Sequence, residues 1–196
     1  MDVSTSTLSF LSAHLRARHQ ERGTCWRRVS VGRQALLVLA HLRCGHTYAQ
    51  LAVGFGVGTT TAYRYIAEAV DVLAALAPTL AEAMKTASTK AYVILDGTLL
   101  PIDRIGADRP FYSGKHKKHG MNVQVITDPV GRLLWAETLS AGQQAVSRSH
   151  AKIRALVEQA MATLKTWRLL RKLRCSTTRI TNLVQAVLAL NLTCSN

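Results

Sequence analysis

The sequence predicts a mixed α/β (α+β) fold, in which an all-helical N-terminal region precedes strands and then further helices. Three observations predict it. Apolar residues recur at helical spacing up to about residue 76, β-forming segments lie between about residues 91 and 139, and helical spacing returns after about residue 149. With 196 residues, 48% of them hydrophobic, the chain can build one medium domain or two small ones. We place the boundary near residue 88, which separates regions 1–88 and 89–196.

Two helices are expected at the start of the chain. Leu8, Leu11 and Leu15 share one face of a first helix over about residues 7–18. A second helix, rich in Leu and Ala, is expected over residues 34–43. Both helices have an apolar face that must pack against another element.

A helix-turn-helix is expected at about residues 46–76. Thr47 and Gln50 have the spacing of a capping box, in which each residue satisfies a free N–H group of the other. Gly56-Val57-Gly58 then breaks the helix, and Thr59 is placed to cap the next one. Two helices joined by a short turn that contains glycine are typical of this DNA-binding motif.

The second helix of the motif has a buried and an exposed side. A stripe at helical spacing is expected to face the core: Ala62, Ile66, Ala69, Val70 and Leu73. Thr60, Thr61, Arg64 and Tyr65 then lie near the helix start, facing away from the core or flanking it, where a recognition helix contacts DNA. The alternative is a plain pair of helices whose aromatic residues serve packing.

Strands are expected in the middle of the chain. The apolar run at residues 91–95 predicts a buried strand that ends on Asp96-Gly97. Met121, Val123 and Val125 alternate with more polar residues, and a turn at residues 128–131 leads into a second apolar segment up to Leu139. These two segments predict a β-hairpin.

Two helices are expected to close the chain. The first carries an apolar stripe that runs from Ile153 to Trp167, and the second spans about Thr178–Leu190. No internal repeat separates these helices from the strands. The order of elements is therefore helices, strands and helices.

The charge of the chain predicts a polyanionic partner. Lys and Arg number 25 against 11 acidic residues, a formal net charge of +14. Basic residues cluster in the segment of Lys115, Lys117 and Lys118, which reads as a flexible phosphate-binding loop, and in residues 148–174, which include Lys165 and Arg168. The alternative is a solvated basic surface. Nucleic acid is the partner that the clustering favours.

Other features give the expected compartment. The four cysteines have no metal-ligand spacing and suit a reducing environment. No run of about 18 apolar residues occurs, and the first seven residues do not resemble a signal peptide. We expect a cytoplasmic protein with no membrane contact.

Two stretches carry a family resemblance. The first is Asp96-Gly97-Thr98 followed by residues 110–124, with the sequence Tyr-Ser-Gly-Lys-His at residues 112–116. The second is the basic run at residues 164–174. With the helix-turn-helix ahead of them, they resemble insertion-sequence-five-like transposases of the Asp-Asp-Glu (DDE) type. The resemblance covers nearly the whole chain, and the Tyr-Ser-Gly-Lys-His stretch is its most specific part.

The resemblance implies that residues 89–196 form a truncated ribonuclease-H-like domain. In the family, three carboxylates bind two Mg²⁺ (or Mn²⁺) ions and cut DNA at the ends of a mobile element, because hard divalent cations prefer oxygen ligands. Asp96 matches the first acid and Glu158 the third, so both are candidate catalytic residues and metal ligands. Lys165 matches a position that the family uses near DNA. The implied partner is double-stranded DNA with terminal inverted repeats, and a homo-oligomer is compatible with the resemblance.

The second acid of the family pattern has no match. Only residues 140–149 connect the hairpin to the helix of Glu158, and these ten residues contain no acid. Asp103 and Asp128 lie in a loop and a turn, away from the expected place. The sequence therefore predicts a copy from which an internal piece of the catalytic domain is missing.

Two classes of function remain open. One is a metal-dependent transposase, impaired in this copy by the loss of the second acid. The other is a DNA-binding remnant or regulator without nuclease activity, and a third outcome is a decayed product with no function. Taken alone, Asp96 could be a strand-end turn residue and Glu158 a helix-surface partner of Arg154.

Overall fold

The computed structural model describes residues 4–23, 27–102, 112–113, 117–138, 162–171, 173 and 177–194. Helices come first: α1 Thr5–Glu21, α2 Val31–Cys44, α3 Tyr48–Phe55, α4 Thr59–Ala75 and α5 Leu80–Ala87. The strands follow: β1 Ile94–Pro101, β2 Tyr112–Ser113, β3 Lys118–Thr127 and β4 Leu133–Thr138. Helices α6 Arg168–Arg171 and α7 Thr177–Cys194 come last, and residues 162–165 are also helical. The predicted α+β arrangement is confirmed.

The helix-turn-helix forms as α3 and α4. The predicted capping box is present: the N–H of Gln50 donates to the Thr47 hydroxyl at 3.3 Å, and the N–H of Thr47 donates to the Gln50 side chain at 2.9 Å. Gly56 ends α3 in the left-handed region at φ 67°, which glycine adopts without steric cost. The prediction that Thr59 caps α4 is wrong, because the cap is Gly58 and no side chain caps the helix.

Helix α5 was not expected from the sequence. Thr79 and Glu82 form a second capping box, with the Thr79 N–H donating to the Glu82 carboxylate at 2.8 Å. Ala83 packs against Ile126 and Trp135 on the side of the sheet that faces away from the main core. The capping spacing was visible in the sequence, and it gives the boundary of this short helix.

Strand β3 is the centre of an antiparallel sheet. Its pairing with β1 runs from the pair of Thr127 and Ile94 to the pair of Gly120 and Pro101. On its other side Val123 pairs with Thr138 of β4, and residues 118 and 119 pair with β2. The predicted hairpin is confirmed. The strand predicted at residues 91–95 lies further along the chain: β1 begins at Ile94, and Leu95 is exposed rather than buried. Asp96 lies inside β1, opposite Val125, because cross-strand pairing continues to Pro101.

Gly120 shows that part of the expected basic loop is strand. It lies in β3, and a Cβ added there would come within 2.6 Å of the Leu100 carbonyl oxygen. Lys118 and His119 belong to the same strand, and Lys117 precedes it with φ 50°. The flexible-loop prediction is therefore wrong for residues 118–120, since these residues pair with β1 and β2.

Helix α7 joins the N-terminal helices to the sheet. It packs against α4, α1 and β4, and it contributes most of its length to one core that also contains residues of α2 and β1. The Arg179 guanidinium bonds the Asp71 carboxylate at 2.7 Å and the Ala67 carbonyl at 2.9 Å, both on α4. The boundary near residue 88 stays a prediction, and the two regions share this core.

The described helices were also compared with the dimensions of a bilayer. The longest of them is α7, with 18 residues, which include Asn182, Gln185 and Asn191. Among the helices of the described residues, none is long and apolar enough to cross a membrane.

We expect Leu188→Ala to lower the free energy of unfolding by about 2–5 kcal/mol, because Leu188 is fully buried in the shared core and the smaller side chain leaves a cavity. Gln185→Ala, a half-buried position on the same helix, should cost less than about 1 kcal/mol. Urea unfolding followed by circular dichroism measures both. Equal losses would contradict the assignment of α7 to the core.

Candidate nucleic-acid interface

The first turn and a half of α4 presents polar side chains to solvent. Thr59, Thr60 and Arg64 are exposed and Thr61 is half-buried. Within the described residues, Arg64 has no ion-pair partner, so its guanidinium is available to an external acceptor. The predicted inward stripe of α4 is buried as expected, and it fixes which side of the helix faces outward.

Tyr65 does not lie where the sequence predicted. Its side chain is 5% exposed, and its hydroxyl accepts a hydrogen bond from the Arg28 N–H at 3.2 Å. The prediction that Tyr65 contacts DNA is therefore wrong. The reason is helical geometry: Tyr65 follows Ala62 by one turn and lies beside Ile66, at the edge of the buried stripe.

Tyr63 is the aromatic residue of α4 that reaches the surface. It is 51% exposed, and its ring meets the Tyr48 ring edge-on at a centroid distance of 5.6 Å. Sequence reasoning missed Tyr63, although its spacing of four residues from Thr59 places it on the exposed side. Tyr48 and Tyr63 thus link the two helices of the motif at its outer surface.

The Glu68 carboxylate holds α4 from its inner side. Glu68 accepts two hydrogen bonds from Arg27, at 2.8 and 2.9 Å, and one from the Gln34 amide at 3.0 Å. His19 lies 3.4 Å from the same carboxylate. These partners come from α1, α2 and the segment between them, so the Glu68 cluster ties three elements to α4.

The pKa of Glu68 reports this arrangement. Burial raises the pKa, but hydrogen bonds from Gln34 and Arg27, and the positive charges of Arg27 and His19, outweigh that effect. The pKa is therefore lower than its ordinary value of 4.5. Glu68 stays ionised and is not available to a cation from solvent.

Asp96 lies in a groove of about 520 Å³ at the edge of β1. We call it the Asp96 groove; its lining includes Asp96, Lys118, Lys165 and Arg171. Two residues of the sequence prediction, Asp96 and Lys165, are thus brought together. Among the described lining residues Asp96 is the only acid, and the side chains of three basic residues belong to the same groove.

The other described carboxylates of the sheet do not join Asp96. Asp128 is buried in the hairpin turn, where its carboxylate accepts the N–H groups of Val130 and Arg132 at 3.0 and 2.8 Å. Asp96 pairs with Val125, which pairs with Ala136 on its other side, whereas Glu137 pairs with Gln124. Because neighbouring residues of a strand point to opposite faces, Glu137 lies on the face opposite Asp96. Within the described part of the chain, no group of three potential ligands could hold a metal ion.

Several predicted site residues lie outside the described residues. They include Glu158, Lys115, Asp103 and the connection at residues 140–149. Of the other basic candidates, Lys117, Lys118, Lys165 and Arg168 are exposed. The structure therefore describes one of the two predicted carboxylates and most of the predicted cations.

A second groove, of about 730 Å³, lies between the helix-turn-helix and α6. We call it the helical groove; its lining includes Tyr48, Tyr63, Arg168, Arg171 and Arg179. No acidic residue lines it among those described. Because Arg171 also lines the Asp96 groove, one side chain joins the two grooves.

His41 forms part of the wall of the helical groove. Burial lowers its pKa below the ordinary value of 6.5, the hydrogen bond to the His46 carbonyl opposes this, and the nearby His46 side chain lowers it further. The neutral ring therefore predominates, with Nδ1–H donating to the His46 carbonyl at 2.7 Å. The ring also stacks on Tyr48 at a centroid distance of 5.0 Å, which gives His41 a structural role.

Comparison with known protein families gives two matches. Residues 27–79 match a family described as the helix-turn-helix of DDE superfamily endonuclease. Residues 95–144 and 136–191 match, as two segments, a family described as DDE superfamily endonuclease. Searches of curated proteins and of solved structures give no significant match.

We expect Glu68→Gln to lower the free energy of unfolding at pH 7 by about 1–3 kcal/mol, because it removes the carboxylate that the half-buried Arg27 guanidinium binds. The folded-state pKa of Glu68 is lowered, so its contribution is complete above the ordinary value of 4.5 and is lost as pH falls through the folded-state value. Urea unfolding between pH 7 and pH 3 should therefore show that the free energy of unfolding falls less steeply for the variant than for wild type.

Glu21→Gln is the matched control, because Glu21 pairs with Arg18 on the surface of α1. Its stability should differ from wild type by less than about 1 kcal/mol, and its pH dependence should be unchanged. A Glu68→Gln variant with the same acid sensitivity as wild type would show that the carboxylate is not held in its charged form by the cluster.

Proposed function

The chain belongs to the DDE superfamily of transposases, with a helix-turn-helix ahead of a DDE endonuclease domain, and on this premise we propose that it binds the ends of a mobile DNA element while its strand-cleaving chemistry is impaired. One observation carries the proposal. The helix-turn-helix presents free polar and cationic groups, whereas the Asp96 groove combines one described carboxylate with three cations.

Recognition is assigned to the start of α4. Thr60, Thr61 and Arg64 project from the N-terminal end of the second helix of the motif, the part that enters the major groove in this class of protein. Arg64 can donate two hydrogen bonds to a guanine edge or to a phosphate. The Thr hydroxyls can bond phosphate, and their methyl groups can contact thymine.

Impaired chemistry is inferred from the donor set. The DDE endonuclease family generally uses divalent metal ions, which activate the attacking oxygen and stabilise the leaving one. We assign Mg²⁺ or Mn²⁺ as the ion and Glu158 as the partner of Asp96. With Asp96 and Glu158 alone, the second acid of the family pattern is still missing. The cations that line the groove of Asp96 also oppose the binding of a further positive charge.

The location of the missing piece has independent support. The two segments that match the endonuclease family overlap at residues 136–144. This overlap includes the start of the connection after β4, where the sequence analysis found no match to the second acid. A chain that lacks a stretch of the family domain is expected to match it in two parts that meet at the deletion.

The finer identity is also part of the proposal. The Tyr-Ser-Gly-Lys-His stretch favours the insertion-sequence-five-like subfamily, with a truncated ribonuclease-H-like domain. The partner would then be double-stranded DNA that carries terminal inverted repeats. Binding would take place in the cytoplasm, where such elements reside.

We expect Arg64→Ala to weaken binding to the parent element's ends by about 1–3 kcal/mol and to lower the dependence on salt, if Arg64 contacts a base or a phosphate. Fluorescence anisotropy with a labelled duplex at several salt concentrations measures both. Arg16→Ala, which removes an exposed arginine from α1, is the control and should bind like wild type. Unchanged affinity of Arg64→Ala would overturn the assignment of α4 as the recognition helix.

We expect the wild-type chain to show no strand cleavage above that of Asp96→Ala, with either Mg²⁺ or Mn²⁺. The reason is that two-metal chemistry needs carboxylates on both sides of the scissile phosphate, and the second acid is absent. The assay uses end-labelled DNA with the parent element's ends, at protein concentrations that saturate binding. Metal-dependent cutting that disappears in Asp96→Ala would show that another group replaces the missing ligand.

A further inference from the structure

We propose that the helical groove is a second DNA-binding surface, which carries the duplex held by α4 toward the Asp96 groove. The inference rests on the proposed function, since it takes α4 as the recognition helix. It assigns DNA contacts to Arg171 and Tyr63, beside Arg168. The occupant is the sugar-phosphate backbone of DNA that flanks the recognised sequence.

The charge of the two grooves fits this occupant. Lys118, Lys165, Arg168 and Arg171 line one groove or the other, and none of them has an ion-pair partner within the described residues. Arg179 also lines the helical groove, but it is paired with Asp71. Four unpaired cations along one path provide a strong attraction for a polyanion.

Continuity comes from Arg171. Its side chain is exposed. Its Nε–H donates to the Lys165 carbonyl at 2.7 Å, and this bond holds the side chain against the helical segment at residues 162–165. Arg171 thereby belongs to the walls of both grooves. A phosphate backbone that leaves the helix-turn-helix would meet Arg171 before it reaches Asp96.

The position of α6 relative to the helix-turn-helix is fixed by contacts with α2. The Arg43 guanidinium donates to the Thr166 hydroxyl at 2.6 Å and lies over the Trp167 ring at 5.2 Å. Arg168 packs close to Gly45, where an added Cβ would be 3.4 Å from the Arg168 Cβ. Because these contacts hold α6 against α2, its arginines and the recognition helix form one surface.

Tyr63 contributes the other wall. Its ring is exposed at the mouth of the helical groove and is oriented by its edge-on contact with Tyr48. A tyrosine hydroxyl in this position can donate to a phosphate oxygen. The groove thus has a neutral donor on the side of the helix-turn-helix and guanidinium groups on the side of α6.

The test compares Arg168→Gln/Arg171→Gln with wild type on two labelled mixed-sequence duplexes, one of about one helical turn and one of about three turns. On the long duplex the variant should bind more weakly, and the slope of log affinity against log salt should be smaller in magnitude by about two. The short duplex is long enough only for contacts with the recognition helix, so the loss of affinity there should be much smaller. Tyr63→Phe should weaken long-duplex binding less than the double variant does.

Two controls separate the possible causes. Arg132→Gln, in the exposed hairpin turn, removes a positive charge away from both grooves and should bind both duplexes like wild type. Arg64→Ala should weaken binding to both duplexes. Thermal unfolding should show the double variant to be folded, and if it is not, Arg171→Lys with its weaker, point-charge contact provides the second comparison.

Equal binding of wild type and the double variant to the long duplex, with an unchanged salt slope, would overturn the inference. A loss of the same size on both duplexes would also contradict it, because the grooves would then not extend the contact beyond α4. If wild type binds neither these duplexes nor the parent element's ends, the proposed function itself fails. Tighter binding to an acidic polypeptide, such as polyglutamate, than to DNA would assign the groove to a protein partner instead.

Discussion

The packing of α7 against α4 is the interaction on which the rest of the molecule depends. Ile180, Val184, Val187 and Leu188 are fully buried, and they fill the space between the N-terminal helices and the sheet. Burial of such apolar side chains stabilises the fold by about 1.5–3 kcal/mol each. The same contact sets the position of the recognition helix relative to Asp96, so the DNA-binding and acidic parts are built on one core.

The charges of the molecule are divided between the interior and the surface. Glu68 is buried and satisfied by partners from α1, α2 and the segment between them, and it orients α4 from its inner side. Arg64 and Arg168, by contrast, are exposed and unpaired within the described residues. Part of the net charge of +14 therefore lies in free cations on the faces assigned to DNA, while the Glu68 carboxylate serves stability.

The surroundings of Asp96 explain why ancestry and activity are separate questions. A DDE domain needs several carboxylates to offset the charge of its divalent ions. Here Lys118, Lys165 and Arg171 share the groove with Asp96, and the hairpin acids are used elsewhere or face away. In the proposed function, the cations of this groove would favour DNA phosphates over further metal ions.

Local spacing and turn chemistry were enough to predict the order of the elements, the capping box at Thr47, the inward stripe of α4 and the hairpin after β1. It also identified Asp96 and Lys165 through a family motif. Three features became visible in the folded chain alone: Tyr65 is buried, α7 completes the core of the N-terminal helices, and Arg171 lines two grooves. Each of these depends on contacts between residues far apart in the chain, which periodicity does not encode.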